Sequence, residues 1–261
     1  MTTTLAVAGK GGTGKTAISA LLIYFLSKAS PPILAVDGDP ATNLHLALGL
    51  PLDEQLNTIG GIREYMGVHI YREKQKLQIS EQEWLDLNIR QGLVRGEGFD
   101  LLSIGRSEGP GCYCAINHML RSTLARLSQE YHFVVIDNEA GMEHISRQTT
   151  NDVDLLFIIS NPTVTGVTVA ARTQNLIREL RSNIKDVYLI INRASKLDSE
   201  VEELIKKENL KLLQLIEEDP YIGEFEAEGR PVIELPEDSP LKKSALEILT
   251  ELRLVPSSAA V

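Results

Sequence analysis

Residues 9–16 read GKGGTGKT, set between an apolar run, TLAVA (4–8), and a stretch of helical spacing, AISALLIYFLSK (17–28). Strand, glycine-rich loop and helix in that order fit the pattern G-x-x-x-x-G-K-S/T, a loop built to hold phosphate. Gly9, Gly11, Gly12 and Gly14 permit a tight turn whose amides point inward. The helix behind it adds the positive end of its dipole. In this reading Lys15 reaches the β- and γ-phosphates of a nucleotide and Thr16 offers its hydroxyl to Mg²⁺, while the backbone of Thr13 and Ala17 completes the cradle. A glycine-rich turn without a ligand is the plain alternative, and the flanking strand and helix disfavour it.

Outward from the loop, short runs rich in Val and Ile alternate with longer amphipathic segments. PILAV (32–36), FDLLSI (99–104), HFVVI (132–136), DLLFIIS (154–160) and VYLIIN (187–192) suit strands buried on both faces. VAARTQNLIRELRSN (169–183) has helical spacing. The series predicts an α/β chain: a doubly wound, mostly parallel sheet flanked by helices, with right-handed crossovers. Residues 51–98 break the rhythm and are expected to form an insertion packed beside the sheet, with Trp84, Leu85 and Ile89 on one helical face. The tail PSSAAV is expected to fray.

The chain of 261 residues is 43% hydrophobic and 24% charged, the balance of an ordinary globular domain, and is expected to fold as one domain. Its net charge of -10 works against binding to nucleic acid or anionic lipid. Neither an export signal nor a membrane span is legible, so a cytoplasmic location is expected.

The second lysine of the loop, Lys10 within KGGTGKT, resembles the deviant Walker A loop of the MinD, ParA, ArsA and nitrogenase-iron-protein superfamily. The resemblance implies a P-loop NTPase of the SIMIBI/MinD type and a homodimer closing over two ATP molecules, with Lys10 reaching the partner's nucleotide as an arginine finger does. A surface lysine beside the loop is the alternative. AVDGDPATNL (35–44) is similar to the switch I segment of that superfamily. By that match Asp39 orients the attacking water and Asp37 sits near the Mg²⁺ shell, although Asp-Gly-Asp-Pro is also ordinary turn chemistry before a helix at Ala41. FVVIDNEAG (133–141) is an apolar strand ending in an acid, the Walker B arrangement. It places Asp137 on Mg²⁺ through water and opens a switch II loop at Ala140 and Gly141. The same resemblance makes Asn192, with Arg193, an adenine contact and brings a loop at Asp219 and Pro220 over the ring. Relatives usually carry Ile-Pro before that loop, whereas this chain reads LIEEDPY (215–221); Asn192 also suits a helix cap.

The only two cysteines, Cys112 and Cys114, stand in GPGCYCAINHMLR (109–121). Thiolates at i and i+2 on an extended segment project to one side and supply half of a tetrahedral site. A two-fold dimer brings a second pair to the axis, and four thiolates then hold one ion. Two small buried hydrophobes are the alternative. His118 and His144 are read as solvated and left out of the site. Together with DNEAGMEH (137–144), this stretch resembles the CooC-type ATPases that mature nickel enzymes, over residues 4 to about 233, with Asn117 part of the motif. That resemblance implies ATP-dependent insertion of nickel into carbon monoxide dehydrogenase or acetyl-CoA synthase, with Cys112 and Cys114 binding Ni²⁺ or Zn²⁺ across the dimer. Two rival readings share the loop. One is an electron-transfer ATPase with an iron–sulfur cluster, whose ligands stand far apart in sequence. The other is a ParA- or MinD-like positioning switch, which wants a basic surface or a basic C-terminal helix.

Overall fold

The computed structural model describes residues 2–65, 78–106, 122–138, 152–179 and 183–256. Among the described residues, eight strands form one sheet: β1 (Thr3–Gly9), β2 (Ile33–Asp37), β3 (Val94–Arg95), β4 (Phe99–Ser103), β5 (Phe133–Asp137), β6 (Asp152–Ser160), β7 (Asn183–Asn192) and β8 (Leu212–Ile216). Their order across the sheet is β3-β4-β2-β5-β1-β6-β7-β8. Every pairing is parallel except β3 with β4. The sheet is the doubly wound one that the strand runs predict.

The helices are α1 (Lys15–Ala29), α2 (Leu44–Ala47), α3 (residues 59–65), α4 (Glu81–Gly92), α5 (residues 122–128), α6 (Val164–Glu179), α7 (Ser199–Lys207), α8 (Ile222–Glu228) and α9 (Pro240–Glu251). They divide between the two faces by the period-2 alternation of the strands. Leu5, Val7, Ile33, Ala35, Leu101 and Val135 pack with α1, α2 and α9. Ala6, Ala8, Leu34, Val36, Val134 and Ile136 pack with α4, α5, α6 and α7. Because both faces are covered, the central strands read as unbroken apolar runs.

The described residues 51–65 and 78–98 lie between β2 and β4. Among them, α4 drives Trp84, Leu85 and Ile89 into the same core as Ala6 and Leu34. Its start is fixed by a capping box: the Ser80 hydroxyl accepts from the Glu83 amide, and the Glu83 carboxylate accepts from the Ser80 amide. Asp86 and Arg90 on α4 then grip Arg126 in the last turn of α5 and Glu130 just beyond it.

Two boundaries differ from the sequence reading. The helix expected at 169–183 runs instead from Val164 to Glu179, and β7 begins at Asn183. The Thr163 hydroxyl accepts from the Gly166 amide, which starts the helix one and a half turns early. The first residues of β7 are largely exposed, so their polar composition hides a strand that pairs with β6 from Asp152 onward.

Candidate nucleotide site

The C-terminal ends of β1, β2, β5 and β7 converge on one edge of the sheet, where ligands bind in such folds. Gly9 closes β1 with φ 147°, and a Cβ there would stand 2.2 Å from the Ile159 carbonyl oxygen of β6. Gly14, at φ 92°, caps α1 without any side-chain cap bond. The first intrahelical bond runs from the Ile18 amide to the Gly14 carbonyl. The amides of Lys15, Thr16 and Ala17 therefore have no helical acceptor, and with Gly11 and Gly12 before them they form an anion cradle.

Two side chains brace the loop through one carbonyl. The Thr13 hydroxyl donates to the Lys10 carbonyl at 2.9 Å, and the Lys15 ammonium donates to the same oxygen at 3.3 Å. The Lys10 side chain is exposed on the outer rim. Asn192, buried at the end of β7, donates its amide to the Thr13 carbonyl at 2.8 Å and accepts from the Arg193 amide at 3.0 Å. Its nitrogen lies 2.5 Å from where a Cβ on Gly14 would be, so a side chain there would have to push the Asn192 amide off the Thr13 carbonyl. The residue expected at the adenine thus stands against the loop backbone. Behind the loop, a small cleft is lined by Lys10, Thr13, Ser160, Asn161, Thr163 and Thr173.

The acids occupy a single rung. Asp37 is in register with Asp137 across β2 and β5. Asp37 is fully buried; its two oxygens accept from the amides of Asp39 (3.1 Å) and Leu44 (2.9 Å). The Asp137 carboxylate accepts from the Ser19 hydroxyl at 3.0 Å and lies close to the Thr16 hydroxyl. Asp39 takes the Ala41 amide at 2.8 Å, so the turn chemistry is present, and the helix behind it starts at Leu44. Asp219 accepts from the Tyr221 and Leu241 amides and from the Ser239 hydroxyl, tying the turn at Pro220 to the first turn of α9.

Burial pushes Asp37 up to about 7 and Asp137 up to about 6, against the ordinary carboxylate value near ~4. Two desolvated carboxylates beside a phosphate cradle form a hard oxygen donor set with excess negative charge. With the Thr16 hydroxyl they suit Mg²⁺, which takes one or two carboxylates together with phosphate oxygens and water. The raised values set a pH dependence. Protons bind the folded state more tightly than the unfolded one, so the pair's contribution is largest below ~4 and is lost as pH rises through 6 to 7. In chelator, the denaturant midpoint should therefore fall between pH 5 and pH 8; a midpoint that rises over that window would contradict the burial of this pair.

Some polar residues of the site carried no motif. Ser19 lies one turn beyond Lys15 on α1, and Asn138 donates its amide side chain to the Val7 carbonyl at 3.0 Å, tying β5 to β1. Cys112, Cys114, Asn117, His118, Ala140, Gly141 and His144 lie outside the described residues. Among the described residues, no cluster of three or more His, Cys, Asp or Glu side chains could hold a metal ion. Nor is any described helix long and apolar enough to cross a membrane.

A parallel sheet with a glycine-rich cradle at the end of β1 and paired acids at the ends of β2 and β5 defines a P-loop nucleotide-binding protein. Residues 4–232 match the CobQ/CobB/MinD/ParA nucleotide binding domain, and the chain belongs to that family. It is 40% identical to an ATP-binding protein of Methanocaldococcus jannaschii, over 95% of this chain and 97% of the relative. It is also 35% identical to the carbon monoxide dehydrogenase accessory protein CooC of Rhodospirillum rubrum, over 74% of this chain and 76% of that protein. Among solved structures, the ParA family ATPase of Chlorobium tepidum superposes with a TM-score of 0.72 at 20% identity, covering 96% of this chain and 98% of that one. The MinD protein of Pyrococcus horikoshii, solved with Mg-ADP, gives 0.68 at 21% identity over 99% of both chains.

Proposed function

We propose that this protein is an ATP-hydrolysing metallochaperone. It carries Ni²⁺ or Zn²⁺ at Cys112 and Cys114 across a homodimer and supports nickel insertion into carbon monoxide dehydrogenase or acetyl-CoA synthase. One observation carries the reading: a two-lysine phosphate loop and a lone C-x-C pair share a chain that is 35% identical to a carbon monoxide dehydrogenase accessory protein.

The geometry of the loop and the strand ends supports the following roles. The amides of the loop bind the phosphates, and Lys15 leaves the Lys10 carbonyl to take the β- and γ-oxygens. Lys10, exposed at the rim, extends to the partner's triphosphate and offsets charge on the leaving oxygens. Asp39, one residue past the anchored Asp37–Gly38 step, orients water for in-line attack. Mg²⁺ supplies charge compensation on the phosphates, and Thr16, Asp37 and Asp137 are the residues that would hold it. Asn192, through its bond to Thr13, links base recognition to the phosphate loop, and the braced turn at Asp219 and Pro220 offers the second wall.

ATP draws two protomers together because each triphosphate needs the other's Lys10. The same two-fold axis sets one C-x-C pair against its twin, so closure and opening alter the sulfur cage that holds the cargo ion. A ParA- or MinD-like switch shares the loop and the fold; the thiol pair separates the two readings. The Cys112→Ala, Cys114→Ala double variant should retain ATP binding while losing metal-dependent dimerisation and bound ion, measured by sedimentation and metal analysis. A variant that still dimerises around one ion would overturn the proposal.

A further inference from the structure

Ser103 closes β4 on the rung of Asp37 and Asp137. It is fully buried, and its hydroxyl has no hydrogen-bond partner among the described residues. Buried hydroxyls are nearly always partnered, because an unmade bond in a dry interior costs stability. Thr58, which forms a backbone bridge with Ser103, does not serve it: its hydroxyl donates to the Glu54 carbonyl at 2.6 Å and accepts from the Gly61 amide at 3.0 Å.

The register puts the orphan beside the reacting end of the site. Ser103 pairs with Asp37 across parallel strands, so the two side chains leave the same face of the sheet from strands about 4.8 Å apart. Both carboxylate oxygens of Asp37 are engaged with the amides of Asp39 and Leu44, two of the bonds that fold the 37–44 turn. Ser103, by contrast, is clamped. The Ile104 amide donates to the Asp37 carbonyl at 2.8 Å, and the Ile104 carbonyl accepts from the Gly60 amide at 2.9 Å. On the far side Gly60 packs so tightly that a Cβ would stand 2.1 Å from the Arg106 carbonyl oxygen. A fixed donor without a partner therefore stands one strand away from a carboxylate whose partners lie on a turn.

We infer that Ser103 is a positioning residue for ATP hydrolysis, a reserve hydroxyl that donates to the Asp37 carboxylate when the 37–44 turn shifts to bring Asp39 onto the attacking water. In the state described here the turn amides satisfy Asp37, and the hydroxyl waits. When the turn moves, a buried carboxylate loses a donor, and Ser103 replaces it without moving the strand. The inference rests on the hydrolytic role proposed above.

The test is Ser103→Ala, with Ser103→Thr as the variant that keeps the hydroxyl, each assayed for ATP turnover and thermal unfolding beside wild type. Ser103→Ala should melt at or above wild type, by up to about 2–4 °C, because an unsatisfied polar atom is removed. Its kcat should fall about tenfold, the scale of one hydrogen bond to a charged group, with KM for ATP unchanged. Ser103→Thr should recover most of the rate. A stable Ser103→Ala with full kcat would overturn the inference, and so would a destabilised one, since the hydroxyl would then have a ground-state partner. A wild type without turnover would overturn the hydrolytic reading and this one with it.

Discussion

Lys15→Ala should reduce ATP turnover by about a thousandfold or more, the scale seen when a main charge-stabilising donor is taken from a transition state. The structure explains why so large a kinetic effect should leave the fold intact. The Lys15 ammonium makes one exposed bond, to the Lys10 carbonyl at 3.3 Å, and that oxygen also accepts from Thr13. Removing the amine leaves that oxygen its Thr13 donor and takes a favourable charge from buried Asp137, whose carboxyl keeps the Ser19 and Thr16 hydroxyls. Arginine should not rescue it, because a planar fork does not replace a compact ammonium against two phosphates inside a loop fitted to lysine. Phosphate release under saturating nucleotide checks the point, with thermal unfolding alongside to show the fold unchanged. Turnover within tenfold of wild type would show that the loop is misassigned.

Gly9→Ala should be the most damaging substitution in the loop for stability, at about 3–5 kcal/mol. Its φ of 147° disfavours any L side chain, and the added Cβ would lie 2.2 Å from the Ile159 carbonyl oxygen. Relief would have to come from parting β1 and β6, which pair in register from Leu5–Leu155 to Gly9–Ile159 at the centre of the sheet. Gly11 is the internal control. A Cβ there meets nothing within 4 Å, so Gly11→Ala should cost under about 1 kcal/mol. Denaturant titration of both variants decides it; equal losses would contradict the claim that contact with β6, rather than glycine content, makes Gly9 necessary.

What the sequence disclosed follows from where each residue is buried. The central strands are legible because both faces are covered and their runs are unbroken, as in ILAVD, FVVID and the end of β7. The edge strands β3 and β8 are not: β3 has two residues, and in LLQLI only Ile216 is buried. The start of α6 is hidden by Gly166, which reads as a helix breaker. Its bare Cα is needed because a Cβ would stand 2.7 Å from the Ser160 hydroxyl at the end of β6. Trp84, Leu85 and Ile89 are visible as a helical face, whereas their merger with the strand core is a tertiary fact.

The site divides in the same way. The loop and the acids at strand ends announce themselves because glycines and carboxylates in that context have few other uses. Ser19, Asn138 and Ser103 do not, since a hydroxyl or amide inside an apolar run acquires its meaning only from the strand beside it. Asp219 shows the opposite case. A resemblance to nucleotide loops singles it out, and the fold engages its carboxylate in holding α9, a role carried by the Ser239-Pro240 helix start some twenty residues on.

The central claim is that one chain owns half of a sulfur cage and half of a triphosphate clamp. Native mass spectrometry of wild-type protein loaded with Ni²⁺ and a non-hydrolysable ATP analogue tests it most directly. The account predicts a dimer carrying one ion and two nucleotides, and a nucleotide-bound dimer without the ion when Cys112 and Cys114 are both replaced by alanine. A single chain that binds one ion and one nucleotide by itself would contradict it.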